Sequence, residues 1–113
     1  MRTRTITKPL PDPGLMVAIA DAHAAADAAA RLAADSVHWA SCADAGADDA
    51  AEVVSCAMRA RQIAEQAERC AVADQAWSCA RQAWAVVSSA HEASGRLNVA
   101  IAEAIASVAP SRD

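Results

Sequence analysis

The sequence predicts an all-α protein: an antiparallel bundle of three long helices, packed closely through alanine. Three observations predict it. The hydrophobic share is 55%, yet most of it is Ala, with three Trp and no Phe or Tyr. Strands want β-branched and aromatic residues, whereas Ala is the best helix former. Gly is scarce, and apolar or small residues recur at alternating steps of three and four, the pattern of helices with a bundle-facing seam.

At 113 residues the chain reads as one helical domain over 12–109. The segment 1–11 reads as a tail carrying Arg2, Arg4 and Lys8, with Pro9 and Pro11 opposing a helix, and 110–113 as a frayed end. Asp12 is a good N-cap with Pro13 at the first helical position. The first helix is expected to run to about Ala45, with Leu15, Ile19, Ala22, Ala26, Ala29, Ala33 and Ala40 as its seam and Val37 beside it. Gly46 supplies the stop, and Asp49 to Glu52 has the form of a capping box opening the second helix. That helix carries a seam of Val53, Cys56, Ala60, Ile63, Ala67 and Cys70.

The next boundary has no Gly or Pro. Its mark is a break in rhythm, where Ala67, Cys70 and Ala73 follow at two successive steps of three. An unbroken helix from Asp49 to Ala109 would span about 90 Å at 1.5 Å per residue, more than so small a domain can cover. A turn between Val72 and Asp74 is therefore expected. The last helix is read as the central one, with a seam of Ala73, Trp77, Ala80, Trp84, Val87, His91, Ser94, Asn98, Ile101, Ile105 and Val108. A second stripe of Cys79, Ala83, Val86, Ala90, Leu97 and Ala104 adjoins it. Gly95 is the point at which a fourth helix would arise. Trp77 and Trp84, one heptad apart, are expected to lie on the alanine face from Ala22 to Ala33.

The formal charge of −4 and a pI near 5.2 argue against general nucleic-acid binding. No long charge-free apolar run predicts a membrane span, and no secretory leader is visible, so a cytoplasmic protein with free thiols is expected. An alanine core buries little volume per residue, since a Leu or Val contributes about 1.5–3 kcal/mol where Ala adds about one methyl. Self-association would make up the deficit. Homo-oligomer contacts are expected at Val54 and Met58, with Trp77 and Trp84 as further interface candidates.

The chemistry-bearing residues are sparse. No C-x-x-C, Gly-rich phosphate loop, nucleophile elbow or HExxH occurs, so no enzyme is expected. Cys56 and Cys70, about 21 Å apart along one helix, cannot share a metal. Pairing the helices about the Gly46 and Ala73 turns sets Cys56 level with His38 and His91, a set that could hold Cu(I) or Zn²⁺. The pair His38-x-x-x-Cys42 is half of another such site. His91, Ser94 and Asn98 also read as a buried polar layer in the third helix, fixing register or lining a ligand pocket.

Cys42-Ala43-Asp44-Ala45, the acidic Asp48-Asp49, and then Cys56 and Cys70 form a segment that resembles cysteine-rich four-helix-bundle copper-binding proteins over about residues 41–70. The resemblance implies Cu(I) held by in-facing Cys. That family uses many C-x-x-x-C pairs and this chain has none, so it would be a Cys-depleted relative. The functional expectation is a small non-enzymatic bundle that self-associates and binds a partner protein or small ligand. The alternative is a soft-metal or thiol-based binder.

Overall fold

The computed structural model describes residues 12–108 and contains three helices, α1 (Pro13–Ala43), α2 (Ala47–Glu68) and α3 (Ala73–Val108). Each packs against both others in an up-down-up bundle. The expected tails at 1–11 and 110–113 lie outside the described residues.

The start of α1 is as the sequence predicts. Pro13 sits in its first turn, and Asp12 Oδ1 accepts a 3.0 Å hydrogen bond from the Gly14 amide, one of the donors a helix start leaves unpaired. Asp44, at φ 50°, ends the helix in the left-handed region, with amides folding back to the carbonyls of Ala40 and Ser41. Gly46 follows at φ 74°, and a side chain there would run into Leu97 of α3. Glycine at this point therefore sets both the tightness of the turn and the approach of α3.

Two boundaries differ from expectation. α2 begins at Ala47 with Gly46 as its N-cap, so the Asp49–Glu52 pair is not a capping box. Those carboxylates instead reach α3, where Arg96 donates through Nη2 to Glu52 (2.6 Å) and through Nε to Asp49 (3.4 Å). The α2–α3 turn is real but falls earlier than expected, over residues 69–72. α3 passes through Gly95 unbroken, which gives three helices and not four.

The core is built of methyl groups. Ala22, Ala29, Ala60, Ala64, Ala83 and Ala90 are fully buried, and among the described residues only Leu97 and Val53 are larger side chains buried to the same degree. Small side chains let the helix axes approach, and dispersion between closely packed backbones replaces part of the burial that Leu would give. The α1 and α2 seams are buried at their alanine positions, and at Val53 and Cys56.

In α3 the expected order of the stripes is reversed. The buried face holds Cys79, Ala83, Val86, Ala90 and Leu97 of the stripe expected to be secondary, joined by Ala76 and Ala93, which belong to neither stripe, while Ala104 of that stripe is only half-buried. Of the expected central seam, Ala80 and Val87 are buried, while Trp84, His91, Asn98, Ile105 and Val108 are exposed. The cause is steric. Helices drawn together by alanine leave no room for an indole between them, so large side chains move to the edges of the contact.

Candidate functional site

Along the seam between α1 and α2 the small side chains leave a groove. One cavity of about 520 Å³ is floored by Ala26, Ala30, Ala33 and Ala57 and walled by Val54 and Met58. Its rim is charged, with His23 and Asp27 from α1 and Arg61, Glu65 and Glu68 from α2. His23 Nε2 donates to Glu68 Oε1 at 2.5 Å and closes that end. A separate cavity of about 580 Å³ lies at the α1–α2 turn, lined by Val37, Ala40, Ala47, Ala50 and Ala51 among others. Apolar floor, polar rim and open length are the features of a docking groove.

Val54 and Met58, expected as contact residues, stand together in this groove, and Met58 is 61% exposed. The other two interface candidates lie elsewhere. Trp77 is half-buried against the core, and Trp84 rests on the α1–α3 edge with its indole N–H donating to Asp21 Oδ2 at 3.1 Å. The core cluster that Trp77 packs against includes Ala22, Ala26, Ala29 and Ala33, whereas Trp84 is too exposed to be wedged between the helices.

The expected metal set does not assemble. Cys56 is buried in the core, whereas His38 and His91 are exposed. Among the described residues no group of three or more His, Cys, Asp or Glu side chains converges as a metal site would require. The difference is one of helix face, since His91 lies on the outer side of α3 and not on the side toward Cys56. The polar layer fails for the same reason: His91 and Asn98 are exposed and Ser94 is half-buried. His38 and Cys42 do meet, Nε2 to Sγ at 3.7 Å, but on the surface.

One association was missed. Cys70, in the turn after α2, lies 4.0 Å from Cys79 in the second turn of α3, Sγ to Sγ. The Cys70 thiol also lies 3.5 Å from the Gln66 carbonyl, to which it can donate. Burial pushes the Cys79 thiol pKa above its ordinary value, and the hydrogen bond to Cys70 and the charge at Cys70 push it further the same way. Searching for C-x-x-C could not find this pair. The signal available was its position, nine residues apart across a tight helical turn.

The Arg96 guanidinium is held charged chiefly by Glu52, with Asp49 second. Both contacts are solvent-exposed, so the cluster positions α2 on α3 more than it stabilises the fold.

Comparison with known proteins finds no matching family, no matching curated protein and no matching solved structure. Among the described residues no helix is long and apolar enough to cross a membrane.

Proposed function

We propose that this chain is a small, non-enzymatic, cytoplasmic docking protein that self-associates through its α1–α2 face. The observation that carries the reading is Met58, exposed above an alanine groove whose rim is charged. A single apolar side chain on a surface has no meaning by itself, but one set beside an alanine-floored cavity with a polar rim supports an interaction site.

The occupant the face fits is a second copy of the chain. α2 has 22 residues and runs about 33 Å. Two helices side by side are about 18–20 Å wide. The face is therefore on the order of 600 Å² in projection, and more once its corrugation is counted, close to the roughly 800 Å² per partner of a stable complex. The thin alanine core gives the same direction, since burying Val54 and Met58 against a partner adds apolar area that the monomer lacks.

Light scattering on the eluting protein tests the reading. The wild type should elute as a dimer or larger at micromolar concentration, and Met58→Asp should elute as a monomer with its helical circular dichroism intact. A wild type that is monomeric throughout that range overturns it.

A further inference from the structure

From the placement of the two thiols we infer that Cys70 and Cys79 form a redox-active dithiol, which a peroxide converts to an intramolecular disulfide locking the α2–α3 turn. The inference stands apart from the docking face and does not need it.

The geometry separates two roles. Cys79 is fixed on α3 and buried, while Cys70 sits outside any helix and is only half-buried. Cys70 is thus the thiol an oxidant reaches first, and Cys79 is the thiol that waits beside it. Closing the sulfurs from 4.0 Å to the bonded distance of about 2.05 Å asks for a movement of about 2 Å. Rotation of the Cys70 side chain, which no helix constrains, can supply it. Cys42 is exposed on α1 and Cys56 is buried in the core, and among the described residues neither makes a thiol–thiol contact. The pairing is therefore specific to this turn.

The chemistry balances with hydrogen peroxide as the oxidant. The Cys70 thiolate attacks one peroxide oxygen; an S–O bond forms, the O–O bond breaks, and the leaving hydroxide takes up a proton as water. Cys79, on losing its proton, then attacks the sulfur of the resulting sulfenic acid. The S–S bond forms, the S–O bond breaks, and the hydroxyl leaves as a second water. Two thiols lose two electrons and two protons, and the peroxide is reduced to two waters. The product ties the end of α2 to the start of α3 across the non-helical residues 69–72 and restricts the unfolded chain as well.

Digestion of the oxidised full-length protein is a direct test, because the sequence places convenient cuts. Cleavage after Arg69 and Arg81 releases both cysteines in one peptide, and a further cut after Trp77 divides them. After brief peroxide treatment and alkylation, that peptide should lack two hydrogens and carry no alkyl group, and its halves should stay joined after the Trp77 cut until reduced. Cys42 and Cys56 should remain alkylatable once the protein is unfolded. The oxidised protein should melt at a higher temperature than the reduced one. Cys70→Ser, which changes a half-buried position, should leave Cys79 free after the same treatment. If the Cys70–Cys79 peptide is instead doubly alkylated after peroxide, or Cys70 proceeds to the sulfinic acid with Cys79 still free, the inference is wrong.

Discussion

The indole N–H of Trp84 donates to the Asp21 carboxylate across 3.1 Å, joining α3 to α1 at the edge of the bundle and not through its centre. Trp84 is 39% exposed. Its removal would leave a notch open to water, without the sealed cavity that makes core truncations cost about 3–5 kcal/mol. Trp84→Ala should therefore cost about 1–2 kcal/mol, partly lost apolar contact and partly the hydrogen bond. Trp84→Phe, which keeps most of the contact and loses the donor, should cost about 0.5–1.5 kcal/mol. Urea unfolding of the three proteins measures both. A cost near 4 kcal/mol for the Ala variant would mean that the ring is a core residue after all.

The same relationship explains what could be read from the sequence. Helix number, the Asp12 cap, the Gly46 turn and the alanine seams of α1 and α2 were legible because each has a local cause: a capping carboxylate, a positive φ, or a repeat of small residues. The face of α3 was not. The repeat of three and four puts Trp84 and Ile105 in the core, but alanine-mediated approach excludes bulk from the helix contact and promotes Ala83 and Ala90 in their place. That rotation carried His91 and Asn98 outward and dissolved the expected metal set and polar layer. Val54 and Met58 were placed by lying off the seam of α2, and both line the groove between α1 and α2.

If alanine sets the helix spacing, enlarging it should hurt. Ala29 is fully buried on α1, and Ala24 is exposed on the same helix. Ala29→Leu should destabilise by about 1–3 kcal/mol through overpacking, although it adds apolar volume. Ala24→Leu should stay within about 0.5 kcal/mol of the wild type, as surface substitutions do. Thermal melts of both variants decide the matter. An Ala29→Leu protein as stable as the wild type would show that the bundle can expand, and that close approach is not what holds it.

The buried thiol of Cys79 gives a last prediction, in pH. Its pKa in the folded protein is raised above the ordinary 9.0, first by burial and then by the hydrogen bond to and the charge of Cys70. A raised folded-state value means that the unfolded chain gives up this proton first as pH climbs. The stabilisation from the neutral buried thiol is therefore complete below about pH 9 and is lost as pH rises through the folded-state pKa. With reductant present throughout, urea midpoints measured from about pH 8 to about pH 10 should fall more steeply for the wild type than for Cys79→Ala. Cys70→Ala removes the two smaller causes and leaves burial in place, so its slope should lie between the other two. Parallel slopes for the wild type and Cys79→Ala would show that Cys79 ionises as freely in the folded chain as in the unfolded one, and that the thiol is not shielded as its place in the core requires.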